Sequence, residues 1–283
     1  MPVPTKIADR FVAGIKRFQP VVASAKSRDV NESDTVTIIK DMLSDVFGYD
    51  KYAEITSEYQ IRGTYCDLAL KLGGELRLLI EAKAIGLELK ESYVKQAVDY
   101  AANQGVEWVV LTNAELWRVY KVTFAKPIGQ ELVLEFSFGA LNPRSANDLD
   151  MLYLLSKESW SKSLLGDYHT QRQALSRFFI GAMILSEPIL EILRRELRRI
   201  SPGVRIDIEE ITAVLTQDVL KRDVLEGEKA DEAKKKIQAI YRKMAKDKEK
   251  AAKAVSSGSV SSDSEPTTEL EPNVPTSVDG SAS

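Results

Sequence analysis

Three residues in the first third of the chain have types and spacing suited to phosphodiester chemistry: Asp67, Glu81 and Lys83. On a strand, residues two apart point to the same face, so Glu81 and Lys83 in the segment LLIEAKA point the same way. Mg²⁺ prefers oxygen ligands, so Asp67, Glu81 and the backbone carbonyl of Ala82 are candidate ligands, with Mn²⁺ as an alternative ion. Lys83 could orient an attacking water or stabilise charge in the transition state. The set predicts metal-assisted hydrolysis.

A second polar group lies in the following segment, LELKESYVKQAVDYAANQG. Tyr93, Gln96 and Tyr100 are three and four residues apart, so they share one face of a helix. Gln96 is a candidate catalytic residue and substrate ligand that could contact phosphate or water. Tyr100 could bind the substrate backbone or hold Gln96 in place. The opposing interpretation is that these are surface residues and that Glu81 marks where a buried strand reaches solvent.

Hydrophobic periodicity around these residues predicts alternating strands and helices. The apolar residues of 31–47 recur at helical spacing, with Asn31 as the N-cap and Gly48 as the stop. Strands are predicted at 52–61, 65–72, 76–84, 106–112, 116–122 and 131–137, and a further helix at 90–103. The strand–helix–strand unit over 76–112 predicts parallel pairing. We therefore expect an α/β fold with a mixed central sheet flanked by helices.

The connection at Gly73-Gly74 decides whether Asp67 and Glu81 can share a site. A strict two-residue hairpin would pair residue 72 with 75 and residue 67 with 80, so Glu81 would face away from Asp67. A shared metal site therefore requires an odd-length loop or a bulge, and the glycines favour a bulged, three-residue connection. We predict that Asp67 and Glu81 lie on the same face.

The ordered set of motifs resembles the PD-(D/E)xK nuclease superfamily. More closely, the run from Glu54 through RGTYCDLAL, IEAKA, KQAVDYA and VVLTNAELWRVYKV resembles the N-terminal nuclease domain of type I restriction-enzyme R subunits. The resemblance covers about residues 30–125 and implies a Mg²⁺-dependent DNA endonuclease. It assigns Asp67 to the first acidic position, Glu81 and Lys83 to the (D/E)xK pair, and Gln96 and Tyr100 to the QxxxY helix. An acidic residue on the first helix is also typical, and Glu32 and Asp34 are both candidates.

The chain departs from that family pattern in two ways. It contains no Walker-type GxxxxGK[ST] motif, so we expect no ATP motor of its own. Tyr65-Cys66 precedes Asp67 where a proline often stands, a position that is loosely kept. Cys66 falls on the leucine face of its strand, which predicts a small buried residue.

Composition limits the other kinds of chemistry. The single cysteine excludes an internal disulfide framework and fits a cytoplasmic protein, and the single histidine, His169, disfavours zinc and Ser-His-Asp sites. No apolar run approaches a membrane span, and we see no signal peptide. The net charge is −3 but uneven: residues 228–254 carry ten Lys or Arg and five Asp or Glu, whereas 255–283 carry five acids and no base.

We expect three regions. Residues 1–142 are predicted to form the nuclease domain, 143–254 a helical region, and 255–283 a disordered acidic tail rich in serine and proline. The predicted function is DNA cleavage of restriction or phage-defence type, by a homodimer or together with restriction-system subunits. The alternatives are a catalytically silent nuclease fold that binds nucleic acid or a partner, and a helical adaptor protein.

Overall fold

The computed structural model describes residues 3–61, 64–124 and 127–257 of the 283-residue chain. They divide into two compact units, Met1–Gln173 and Ala174–Ser283. Within the described ranges, no helix has the length and apolar character that crossing a membrane requires. All the residues predicted to form the site lie in the first unit.

The first unit is built on a six-stranded sheet whose spatial order follows the chain order. The strands are β1 (Ile55–Ile61), β2 (Thr64–Leu72), β3 (Glu75–Ala82), β4 (Trp108–Thr112), β5 (Leu116–Thr123) and β6 (Gly129–Ser137). Neighbours pair antiparallel except β3 and β4, which are parallel and joined by helix α3 (Glu91–Gln104). The predicted α/β fold with a mixed sheet is therefore confirmed.

Helices cover both faces of this sheet. On one face, α1 (Thr5–Ser27) and α2 (Glu32–Asp45) pack on a core that includes Leu68, Leu70 and Ile80. On the other, α3 packs on a core that includes Ala69, Leu79 and Val109. The residues of β4 are buried throughout, as expected for a strand covered on both sides.

The sequence analysis did not identify α1. This helix buries Phe11, Ile15, Phe18 and Val22 at helical spacing, but its interior contains Gly14 and Pro20, both unfavourable inside a helix. Gly14 has a packing role, because a Cβ there would lie 2.8 Å from a methyl carbon of Val46. The glycine allows close contact between α1 and the end of α2.

Cys66 is fully buried, as predicted, but its neighbours differ from those expected. It packs in the cluster of Ala69 and Leu79 rather than with Leu68 and Leu70. Its thiol lies 3.2 Å from the carbonyl oxygen of Ile80 on the next strand. Simple two-residue alternation therefore does not hold at this end of β2.

The first unit continues beyond the predicted boundary at residue 142. Three helices follow the sheet: α4 (Ala146–Leu155), α5 (Lys157–Trp160) and α6 (Leu164–Ala174). Leu152, Leu155 and Leu165 join the core beneath α1 and α2. These helices complete the hydrophobic core of the sheet domain, which is why the compact unit reaches Gln173.

The second unit is helical, as predicted. It contains α7 (Arg177–Ile184), α8 (Glu187–Ile200), α9 (Ile208–Val214), α10 (Arg222–Leu225) and α11 (Glu228–Ser257). A small core joins α7 and α11 through Ala182, Ala233 and Ile237. The predicted tail from residue 255 begins inside the last turn of α11, and residues 258–283 lie outside the described residues.

Candidate active site

The β2–β3 hairpin sets the register that the site requires. Gly73 and Gly74 both have positive φ values, 59° and 83°, which suits a two-residue turn of the primed type. Leu72 pairs with Glu75 and Lys71 with Leu76, but Leu70 pairs with Leu78, so Arg77 is an extra residue on β3. The required bulge is present, although it lies in the strand rather than in the turn.

This bulge changes the register of the strand segments that lead to the two candidate carboxylates. Beyond it, Leu68 pairs with Ile80, and continuing the register by one residue puts Asp67 beside Glu81. Residues directly opposite on antiparallel strands share a face. The Asp67 Oδ2 atom also accepts a hydrogen bond of 2.7 Å from the backbone N–H of Ala82. Asp67 therefore lies at the carboxyl end of β3, where Glu81 and Lys83 are found.

Lys83 follows the last residue of β3 and contacts side chains from three elements. Its Nζ donates to Glu81 Oε1 at 2.8 Å and lies 3.6 Å from Glu32 Oε2 on α2. The same nitrogen lies 5.9 Å from the ring centroid of Tyr93 on α3, within the range of a cation–π contact. The Lys83 ammonium group is thus held among carboxylates and one aromatic ring.

The contact with Lys83 distinguishes between the two acids proposed for the first helix. Glu32 lies beside Lys83, whereas the backbone N–H of Asp34 binds the capping side chain of Asn31. Glu54 is also placed elsewhere, paired with Lys157 at 2.7 Å. Glu32 is therefore the acidic residue that α2 adds to this site.

Gln96 and Tyr100 share a face of α3 as predicted, and they contact each other. The Gln96 amide donates to the Tyr100 hydroxyl, so Tyr100 orients Gln96. In the described part of the chain, no hydrogen bond or ion pair joins Gln96 to Asp67, Glu81 or Lys83. The residue of α3 that does contact Lys83 is Tyr93. The sequence analysis placed Tyr93 on the same helix face as Gln96 and Tyr100 but gave it no role.

We expect Tyr100→Phe to have a small effect on catalysis. The substitution removes one hydroxyl that orients Gln96, and a neutral hydrogen bond contributes about 1 kcal/mol, which corresponds to a rate change of roughly fivefold. Steady-state cleavage rates of the purified variant test this. A loss above about 100-fold would show instead that the Tyr100 hydroxyl contacts the substrate directly.

Burial and neighbouring charges change the protonation of the three central residues. Burial raises the pKa of Asp67, and the charges of Glu32 and Glu58 add to this effect against the opposing Ala82 N–H and Lys83. Burial likewise raises the pKa of Glu81, and the charge of Asp67 adds to it. Two carboxylates that share a partly buried site repel each other, so both bind a cation or a proton more readily.

Lys83 remains protonated at neutral pH. Burial by itself lowers the pKa of its ammonium group, but the Glu81 hydrogen bond and the charges of Glu81, Asp67 and Glu32 outweigh it and raise the pKa overall. A protonated lysine donates hydrogen bonds and cannot accept a proton. Lys83 therefore suits electrostatic stabilisation or orientation of water, not general base catalysis.

Buried polar side chains hold the segment that follows Lys83. The Lys83 N–H donates to the Thr112 carbonyl at 2.9 Å, and the Ile85 N–H donates to Thr35 Oγ1 at 3.1 Å. Asn113 donates to the carbonyls of Ile85 and Leu87 at 3.2 and 2.9 Å. The sequence analysis missed Thr35 and Asn113 as positioning residues. For Asn113, the available signal was the polar pair Thr112-Asn113 at the end of the buried strand β4.

Replacement of Asn113 by alanine is expected to destabilise the first unit by about 2–3 kcal/mol, because buried backbone groups lose their partners. Besides the two carbonyls, Asn113 Oδ1 accepts the Leu116 N–H at 2.8 Å. Urea denaturation followed by tryptophan fluorescence measures this unit, since Trp108, Trp117 and Trp160 all lie in it. Asn147→Ala, at an exposed position in the first turn of α4, is the control, expected to change stability by less than about 0.5 kcal/mol. Equal stability of the two variants would contradict the positioning role.

The acidic groups do not form a ready-made metal cage. Over residues 3–61, 64–124 and 127–257, no group of three or more His, Cys, Asp or Glu side chains is arranged to hold a metal ion. The protein offers a pair of carboxylates, the nearby carbonyl of Ala82 and a lysine. Such a site leaves room for waters, which suits Mg²⁺ better than metals that need a full protein cage.

The sheet with flanking helices and the acid–x–lysine end of β3 define a restriction-endonuclease-like α/β domain. Residues 37–133, about a third of the chain, match the family model described as type I restriction enzyme R protein N terminus. The resemblance drawn from the motifs is thus confirmed for this region. Among the solved structures, the type IIG restriction endonuclease BpuSI is similar at 15% identity and a TM-score of 0.31, over 71% of this chain and 28% of that one. No curated protein matches the chain significantly.

Proposed function

We propose that the chain is a metal-dependent DNA endonuclease of restriction or phage-defence type. The observation that carries this proposal is the convergence of Asp67, Glu81 and Lys83 at the carboxyl end of β3. These residues lie within the region that matches the N terminus of type I restriction enzyme R proteins. The proposed substrate class is therefore DNA.

The residues present fit a hard divalent cation. Burial raises the pKa of both Asp67 and Glu81, and nearby carboxylates add to it, Glu32 and Glu58 at Asp67 and Asp67 at Glu81; a bound cation would relieve these costs. The carbonyl oxygen of Ala82 is the third proposed ligand. Bound Mg²⁺ would supply Lewis-acid polarisation of the phosphate and a water of lowered pKa.

The chain's own side chains then position the substrate. Lys83, charged and tethered by Glu81 and Glu32, would donate to a non-bridging phosphate oxygen and stabilise the charge that develops there. Gln96, oriented by Tyr100, would bind phosphate or water. Tyr93 restrains the Lys83 ammonium through its ring, which limits the conformations that the lysine can adopt.

The proposal includes no ATP motor within this chain. The sequence contains no Walker-type GxxxxGK[ST] motif, so DNA hydrolysis by this chain would not be coupled to ATP hydrolysis of its own. Cutting both strands of a duplex takes two active sites, so we propose a homodimer or a partner subunit for double-strand cleavage.

Incubation of the full chain with supercoiled plasmid tests the function. We expect nicked and linear products with Mg²⁺ or Mn²⁺ and none with EDTA, and no products from Asp67→Ala. DNA binding in a gel-shift assay without cleavage under any metal condition would overturn the endonuclease proposal. That outcome would favour the catalytically silent nuclease fold.

A further inference from the structure

One side of helix α8 carries a shallow cavity lined by arginines. The cavity has a volume of about 350 Å³, and its lining residues are Glu191, Ile192, Arg194, Arg195 and Arg198. Three arginines against one glutamate give this lining a net charge of +2. We call this feature the arginine cavity.

Exposed apolar side chains accompany the arginine cavity. Ile192 lies in its wall with 44% of its surface exposed, and Ile200 at the end of α8 is 76% exposed. Phosphate groups of a nucleic acid would satisfy the arginines but not the apolar side chains. The surface therefore fits an acidic peptide with an apolar side chain better than a nucleic-acid backbone.

Two of these arginines pair with carboxylates of the same helix, whereas Arg198 donates to the Ile206 carbonyl at 2.8 Å. Arg194 pairs with Glu191 one turn earlier, and Arg195 lies 3.5 Å from Glu196 with 71% of its side chain exposed. Exposed ion pairs of this kind contribute little to stability. Replacing Glu191 or Glu196 in these ion pairs by a carboxylate of a bound peptide would therefore cost little free energy.

The chain itself contains a segment of the required chemistry. Residues 258–283 carry five acidic residues and no Lys or Arg, and at their centre Leu270 stands between Glu269 and Glu271. Leu270 lies thirteen positions after Ser257, a distance of up to about 45 Å when the chain is extended. This equals the length of the 30-residue helix α11 at 1.5 Å per residue. The segment can thus reach back to α7, on which α11 packs and which in turn contacts α8.

We propose that Glu269-Leu270-Glu271 docks in the arginine cavity of the same chain. Leu270 packs beside Ile192, while Glu269 and Glu271 pair with Arg195 and Arg198. The +2 cavity lining and the −2 tripeptide neutralise each other. This inference does not depend on nuclease activity, and it can fail or succeed independently of the proposed function.

A nitroxide label on the full chain tests this docking. Cys66 is buried, and burial raises its thiol pKa to about 12, so a Ser264→Cys variant is labelled at one position. We expect the electron paramagnetic resonance spectrum to show a dominant immobilised component at low salt. Arg195→Glu/Arg198→Glu is expected to reduce the docking equilibrium roughly tenfold or more, and Glu269→Lys/Glu271→Lys should have the same effect.

A matched charge reversal on the same unit provides the control. Lys235→Glu/Lys236→Glu on exposed α11 changes the net charge equally and should leave the immobilised component unchanged. The proposal would be overturned if both charge reversals reduced the immobilised component equally. It would also be overturned if the labelled Ser264→Cys protein without charge reversals gave a mobile spectrum. Immobilisation that increases with protein concentration would also overturn it, since the occupant would then come from a second copy.

Discussion

Replacement of Lys83 by alanine is expected to reduce metal-dependent DNA cleavage at least 100-fold. The lysine supplies the only ammonium group that the described contacts place between Glu81 and Glu32, at 2.8 and 3.6 Å. Removing one preorganised donor to a developing oxyanion costs about 10²–10³ in rate. Single-turnover cleavage of plasmid with saturating enzyme measures this loss without contributions from product release.

Lys121→Ala is the matched control for this experiment. Lys121 is similarly buried, with 22% of its side chain exposed against 15% for Lys83, but it pairs with Glu107 at the other end of the strands. We expect its cleavage rate to stay within a few-fold of the parent rate. If both variants cleaved at the same reduced rate, the loss would reflect general destabilisation, and Lys83 would have no special part in catalysis.

Asp67→Asn is expected to abolish cleavage while it stabilises the metal-free protein. Asparagine keeps an oxygen that can accept the Ala82 N–H, but it removes the negative charge proposed to bind the metal. Because the pKa of Asp67 is raised in the folded state, its ionised form destabilises the fold at neutral pH. The neutral side chain avoids this cost, so activity and stability should change in opposite directions.

The pH dependence of this stability difference has a defined sign. As the pH falls through the raised folded-state pKa of Asp67, the carboxyl becomes protonated in the folded protein and its cost is relieved. The advantage of Asp67→Asn should therefore be largest at pH 7 and vanish toward the unfolded value near pH 4. Urea denaturation in EDTA at several pH values measures the difference in free energy of unfolding between Asp67→Asn and the parent protein. An asparagine variant less stable than the parent at pH 7 would contradict the argument.

The sequence specified the local elements around the site with good accuracy. Predicted helices at 31–47 and 90–103 are observed at Glu32–Asp45 and Glu91–Gln104, with Asn31 as the predicted N-cap of the first. The parallel pairing of β3 and β4 also follows the prediction. These features depend on side chains within a few residues of each other, so the amino-acid order contains them directly.

The sequence did not predict which side chains the site residues contact. Periodicity left Glu32 and Asp34 equivalent, and the contact of Glu32 with Lys83 distinguishes them. Gln96 and Tyr93 share a helix face, yet they have different partners. Gln96 donates a hydrogen bond to Tyr100, whereas the ring of Tyr93 contacts Lys83. Such choices depend on where α2 and α3 pack, which residues distant in the chain decide.

By itself, the sequence determined the identity and order of Asp67, Glu81 and Lys83, their placement on neighbouring strands and the α/β class of the domain. Only the tertiary structure decided that these residues meet. The Gly73-Gly74 turn alone would have separated Asp67 from Glu81, and the extra residue Arg77 in β3 shifts the register by the one residue that is needed. The position of a bulge depends on how both faces of a strand pack against α1, α2 and α3. A two-residue periodicity cannot encode that position, because slipping by one residue exchanges the faces without changing the pattern.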